Sequence, residues 1–262
     1  MTTASAPVLI FGGTADARRL AELLDGAGVP VLTSLAGRVR EPQLPAGEVR
    51  VGGFGGADAI AEWLVRHRPP AVVDATHPFA ARIGPAVAQA CAAAGVPLLR
   101  LERPGWSERP GDRWRWVADL DEAAAALDGR DARVLLTTGR QGLASFTGVE
   151  SAWFLIRSIE APEPPVPPRH EVLLDRGPYT VAGELEVIDR HAIDVVVTKD
   201  SGGAATEAKL EAARERGLEV IVVRRPPRPD VAAVASARDA AAWVEQVAGR
   251  APAQVTSRSE SR

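Results

Sequence analysis

The sequence predicts an α/β protein built from two doubly wound units, and three observations carry that reading. Unbroken apolar runs such as Val8-Leu9-Ile10-Phe11 and Asp194-Val195-Val196-Val197-Thr198 recur without the alternation of a half-exposed strand, which suits strands buried on both faces of a parallel sheet. Helical patterns separate these runs. Several runs end at once in glycine, threonine, serine or charged residues, at the edge where open α/β sheets bind ligands. The alternation completes two rounds, so the expectation is two Rossmann-like domains with parallel sheets and a cleft between them. Their predicted limits are 1–108 and 109–250, with 251–262 a polar tail too poor in bulky apolar residues to fold.

In 262 residues, 46% of them hydrophobic, there is material for a sizeable core, and a net charge of −3 gives no general attraction to nucleic acid or membrane. The one cysteine, Cys91, lies in an apolar helical run and excludes a disulfide framework or a cysteine-based metal site within the chain. No stretch offers the ~18 apolar residues of a membrane span. The segment Met1–Pro7 lacks the charged and apolar regions of a signal peptide. A cytoplasmic protein, monomer or weak homo-oligomer, is expected.

The first predicted strand, Val8–Phe11, runs into Gly12-Gly13-Thr14 and then a helix to about Ala27 with Thr14 as its cap. Strand, glycine turn and helix together present free backbone N–H groups to a phosphate. The second strand, Pro30–Leu35, carries Ser34, 21 residues beyond Gly13, where dinucleotide sites recognise the ribose. Arg38 and Arg40 follow with no acid before them, so Ser34 and Arg38 are read as a grip on a 2′-phosphate, which selects NADPH over NADH. After a third strand, Glu48–Val51, the loop Gly52-Gly53-Phe54-Gly55-Gly56 lies on the same edge, and helix Ala57–His67 follows. Strand Ala71–Asp74 ends in Ala75-Thr76-His77-Pro78, a helix runs to about Ala94, and Gly95–Leu101 closes the round.

Trp106, Trp114 and Trp116 crowd a basic crossing segment, read either as a staple between the domains or as the wall of a flat apolar site. A helix over Asp119–Leu127 and a strand over Arg133–Thr137 open the second round, and Thr138-Gly139-Arg140-Gln141-Gly142 repeats the glycine turn before a helix. Strand Ala152–Arg157, a proline-rich loop over 162–168, strand Glu171–Leu174 and a helix to about His191 come next. Strand Asp194–Thr198 ends in Lys199-Asp200-Ser201-Gly202-Gly203, the densest group of functional residue types in the chain. Helix Ala204–Arg216, strand Leu218–Val223 and a last helix over Ala235–Val247 complete the second domain.

Chemistry is expected from Lys199, Asp200 and His77, while Tyr179 is read as a packing residue. Lys199 and Asp200 stand at a strand end beside N–H groups of Ser201, Gly202 and Gly203 that suit an anion. His77 stands at another strand end, and Tyr179 sits in a Gly-Pro loop. No cluster has metal-ligand spacing, so no metal is expected. A short-chain reductase or epimerase is the alternative enzyme, but its Tyr-x-x-x-Lys pair is missing, since Gly183 stands four places after Tyr179. A non-catalytic NADP-sensing module is the other alternative.

Ile10–Thr14 with Arg18, Ser34–Arg38, Gly52–Gly55, Asp74–Ala80, Arg103-Pro104, Gly177–Tyr179 and Thr198–Gly202 occur in an order that resembles the precorrin-6A reductases of cobalamin biosynthesis. The resemblance covers about Val8–Pro226; Tyr179, where phenylalanine is expected, departs from the pattern, and the C-terminal tail lies outside it. It implies NADPH-dependent reduction of one double bond of precorrin-6A, a flat macrocycle fringed with carboxylates, to its dihydro product. On that basis Gly12, Gly13, Thr14, Ser34, Arg38, Gly53, Phe54 and Thr76 would hold the cofactor, Arg100, Arg140, Ser201, Gly202 and Gly203 the substrate, and Lys199, Asp200 and His77 would serve catalysis.

Overall fold

The structure is a computed structural model and describes residues 6–37 and 44–250. Arg38 and Arg40, and the tail at 251–262, lie outside the described residues. The chain divides into two units, one formed by residues up to Arg103 together with those from Arg228 onward, the other by Pro104–Pro227.

In the first unit β1 (Val8–Phe11), α1 (Ala15–Gly26), β2 (Val31–Leu35), β3 (Glu48–Val51), α2 (Ala57–His67), β4 (Val72–Asp74), α3 (Ile83–Ala94) and β5 (Leu98–Leu101) follow in order. All the strands pair parallel. The run at β1 has no polar member because both faces are covered. Val8 and Ile10 join a core with Leu20, Ala21 and Leu24 of α1, while Leu9 and Phe11 join one with Ile60 and Leu64 of α2 and Val87 and Cys91 of α3. Burial of each such aliphatic side chain is worth about 1.5–3 kcal/mol. Gly95 stops α3 in the left-handed region at φ +65°, as a glycine C-cap should.

The second unit holds β6 (Arg113–Val117), α4 (Leu120–Ala125), β7 (Arg133–Leu136), β8 (Trp153–Ser158), β9 (His170–Leu174), α5 (Val181–Arg190), β10 (Val195–Lys199), α6 (Ala208–Glu215) and β11 (Glu219–Val223). Two expectations change here. The glycine turn after β7 opens only a short 3-10 turn, Leu143–Phe146, and the segment expected as one helix from Ala204 is a 3-10 turn, Ala204–Thr206, followed by α6. Of the tryptophan segment, Arg113–Val117 is a strand paired parallel with β11 while Trp106 lies in the irregular stretch before it, and Trp106, Trp114 and Trp116 all pack on the core of this same unit.

The chain then returns to the first unit with β12 (Ala233–Val234), paired parallel with β5, and α7 (Ala237–Arg250). This corrects the expected boundary at 109–250, because Ala240 and Val244 of α7 are buried in the α1 core of the first unit. The strand orders are β12-β5-β4-β1-β2-β3 and β6-β11-β10-β7-β8-β9. The same winding therefore occurs twice, with β1 matched by β7 and β4 by β10. Only the outer strand beside β5 or β11 differs in origin, since β12 comes from the end of the chain, after the second unit, and β6 from the start of its own unit.

Candidate functional site

The first unit's candidate site is the carboxyl edge of its sheet. Gly12 lies so close to β2 that a Cβ there would stand 2.7 Å from Thr33 Cγ2, and Gly13 takes φ +107° with open space over its Cα. No larger residue keeps that turn flat against the strand and open above it. Thr14 caps α1, its hydroxyl accepting from the Ala17 amide at 3.0 Å and donating to the Ala75 carbonyl at 2.8 Å. The turn and the end of β4 are thus tied together, with the α1 N-terminus aimed at the edge. Ser34 is buried on β2, opposite Phe11 and Arg50 in the registers of its neighbours.

Two residues expected at the cofactor are otherwise engaged. The Phe54 ring packs on Phe11 and Trp63, with the Arg50 guanidinium 3.9 Å above it. Arg50 also donates to the carbonyl oxygens of Gly52 and Gly53, at 2.7 and 3.2 Å. The glycine loop is therefore anchored by a core aromatic and an arginine, and Phe54 braces it. Thr76 is buried and donates its hydroxyl to Asp74 Oδ1 at 2.6 Å. His77 faces the loop interior, where Nδ1 accepts the Phe79 amide at 3.2 Å.

Behind Thr76 lies a charge network. Arg228 donates to Thr76 Oγ1 at 2.9 Å and stands 3.5 Å from Asp74 Oδ2 and 3.3 Å from Glu102 Oε2. Arg100, expected to meet substrate, is only 7% exposed; it donates to the Pro229 carbonyl at 2.8 Å and its Nε lies 3.8 Å from Glu102. It is a support of the first unit, tying β5 to the Pro229 segment that leads into β12.

In the second unit Lys199 ends β10 and its ammonium donates to the carbonyl oxygens of Thr138, at 2.8 Å, and Gln141, at 3.2 Å. Burial lowers its pKa to about 8, because the charged form loses solvation. Asp200, expected in catalysis, is 8% exposed, with Oδ1 accepting the Trp106 amide at 2.9 Å and Oδ2 3.2 Å from Arg225 Nε. A carboxylate so enclosed ties chain segments together. Gly202 and Gly203 both have positive φ, and a Cβ at Gly202 would meet the Pro104 carbonyl. Arg140 forms a half-exposed pair with Glu160 at 2.9 Å.

Deeper in the same unit Arg157 and Glu184 form a buried ion pair at 2.8 Å, with the Tyr179 ring 4.1 Å from the guanidinium. Lys209 is buried near them, donates to the Thr206 carbonyl and faces the Trp106 ring at 4.6 Å; burial and the Arg157 charge bring its pKa down to about 7. Sequence reasoning did not single out Glu102, Arg157, Glu184, Lys209, Arg225 or Arg228. The one signal for the last two is the string Arg224-Arg225-Pro226-Pro227-Arg228, charged residues in a segment too proline-rich for a helix.

Among the described residues no group of histidine, cysteine and acidic side chains could hold a metal, and no helix is long and apolar enough to cross a membrane. The sequence matches the family model described as precorrin-6x reductase CbiJ/CobK over residues 7–245. It is 51% identical over 239 residues to the precorrin-6A reductase of Rhodococcus erythropolis, covering 90% of this chain and 96% of that one. To the precorrin-6A reductase of Mycobacterium tuberculosis it is 46% identical over 245 residues, covering 93% and 99%. A solved structure titled CobK precorrin-6A reductase superposes with a TM-score of 0.88 at 40% identity, covering 92% of this chain and 97% of that one.

Proposed function

The chain belongs to the precorrin-6x reductase family, and from that premise we propose that it reduces one ring double bond of precorrin-6A with NADPH, in cobalamin biosynthesis. The observation that carries the cofactor half of this reading is the Gly13 turn. Its positive φ and open Cα, at the mouth of a parallel sheet and the start of α1, fit a dinucleotide pyrophosphate.

The N–H groups that follow Gly12 would hold the pyrophosphate, assisted by the α1 dipole. Thr14 keeps the turn in register with β4 through Ala75. Ser34 and Arg38 would take the ribose and its 2′-phosphate, Gly53 and Thr76 would line the rest of that edge, and His77 would serve catalysis beside them. When bound, the reduced nicotinamide supplies the hydride.

In the second unit, Arg140 and the loop Ser201-Gly202-Gly203 would receive carboxylates of the macrocycle; the Ser201 amide itself donates to the Lys199 carbonyl at 2.6 Å and so shapes the loop. Reduction of a conjugated double bond also consumes a proton. Lys199 is the group for that step: it is ionisable, largely desolvated, and held at the end of β10 by the carbonyl oxygens of Thr138 and Gln141. Anaerobic incubation of the purified protein with precorrin-6A should consume NADPH with loss of nicotinamide absorbance and much less NADH. Tight NADPH binding without turnover would instead favour a sensing role.

A further inference from the structure

Two arginines three places apart in the segment Arg225-Pro226-Pro227-Arg228 each grip the aspartate at the corresponding strand end of a different unit. Arg228 holds Asp74, at the end of β4, together with Thr76 and Glu102. Arg225 holds Asp200, just after β10, through Nε to both Oδ2, at 3.2 Å, and the backbone carbonyl, at 2.9 Å. Because β4 and β10 hold the same place in the two sheets, the two contacts are equivalent in kind.

The ties continue to the ligand loops. From Arg228 the path runs through Asp74 and Thr76 to Ala75, whose carbonyl accepts the Thr14 hydroxyl, which caps α1 beside the Gly13 turn. From Arg225 it runs through Asp200 to Ser201, Gly202 and Gly203. Gly105 and Gly202 are glycines because that packing leaves no room: a Cβ at Gly105 would stand 2.5 Å from Asp200 Oδ2, and one at Gly202 would stand 2.7 Å from Arg225 Nη2.

We propose that Arg225-Pro226-Pro227-Arg228 is a positioning strap, in which Arg228 sets the affinity for NADPH and Arg225 sets the affinity for the carboxylate-bearing macrocycle. The proposal rests on the assignment of NADPH to the first unit and the macrocycle to the second. Neither arginine touches a reacting atom. Each holds in shape a loop that would meet the ligand, and the prolines between them shorten the range of conformations that the segment can take.

The test compares wild type, Arg228→Met, Arg225→Met and the double variant Arg228→Met/Asp74→Asn by direct NADPH titration and by steady-state KM for precorrin-6A. Arg228→Met should weaken NADPH binding about tenfold, the order that a lost supporting contact costs, and should leave the KM for precorrin-6A near wild type. Arg225→Met should do the reverse. Arg228→Met/Asp74→Asn should recover part of the NADPH affinity, because it removes the carboxylate left without its guanidinium. Parallel loss of both affinities in either single variant, or no loss in both, overturns the strap. Where a methionine variant fails to fold, Arg228→Lys and Arg225→Lys replace it; lysine keeps the charge but not the forked geometry, and the same split is required of them. A wild-type protein that does not bind NADPH refutes the assignment of the cofactor, a result distinct from loss of the split.

Discussion

Lys199 Nζ donates to the Thr138 carbonyl across the β7–β10 pair, at 2.8 Å. In the first unit the matching turn after β1 is open above Gly13; here the turn after β7 gives its carbonyl oxygens to an ammonium. If Lys199 supplies the proton, the rate must fall as pH rises through its pKa of about 8. Lys199→Met should lower kcat by about two orders of magnitude, within the range of general acid catalysis, and remove that alkaline limb. A pH–rate profile of both proteins decides it.

The Gly13 turn supplies a second test. At φ +107° an alanine is strained, at about 1–3 kcal/mol, and its methyl would fill the open space over the turn. Gly13→Ala should lower NADPH affinity more than it lowers the midpoint of urea unfolding would imply, and Gly26→Ala, a helix glycine with open space around it, should leave the affinity unchanged. Titration and unfolding curves on the three proteins check this.

The Arg157–Glu184 pair should dominate stability in the second unit. The two side chains are 4% and 1% exposed, so removal of one partner leaves a buried charge and costs about 3–5 kcal/mol. Glu184→Ala should unfold at markedly lower denaturant, and Arg157→Met/Glu184→Met should be less damaged than either single change. A double-mutant cycle by urea unfolding gives the coupling.

Legibility in the sequence followed local chemistry. The apolar runs at β1 and β10 named themselves, and so did the glycine turn, because each needs only its own neighbours. β12 was invisible: two residues, Ala233 and Val234, make a strand only because β5 offers an edge. β6 was hidden by its own composition, with Arg and Trp alternating where a core strand would carry Val and Ile. Lys199 was placed by its strand end and remains the candidate for chemistry. Asp200 and Arg100, selected on the same reasoning, turned out to be enclosed by Trp106, Arg225 and Pro229, partners that sequence distance concealed.

Alkaline conditions should stabilise the fold over a defined window. Lys199 and Lys209 have pKa values of about 8 and about 7, each below its ordinary 10.5. Between those values and 10.5 the unfolded chain binds more protons than the folded one, so stability rises with pH there. Below about 7 both ammonium groups are charged in the folded and the unfolded chain alike, and stability levels off at its lower value. Unfolding free energies at pH 6, 7.5 and 9 (about one proton-binding step apart) should increase in that order, and Lys209→Met should flatten the rise.

The late arrival of β12 also bears on synthesis. Everything that β6 to β11 require has been made by Val223, whereas the first sheet waits for β12 and α7, whose Ala240 and Val244 close the face formed by Val8, Leu20 and Leu24. The first part made is therefore the last finished. A chain truncated after Pro227 should show protease resistance in the middle segment alone, and addition of the final residues should extend that protection backwards to the amino-terminal strands.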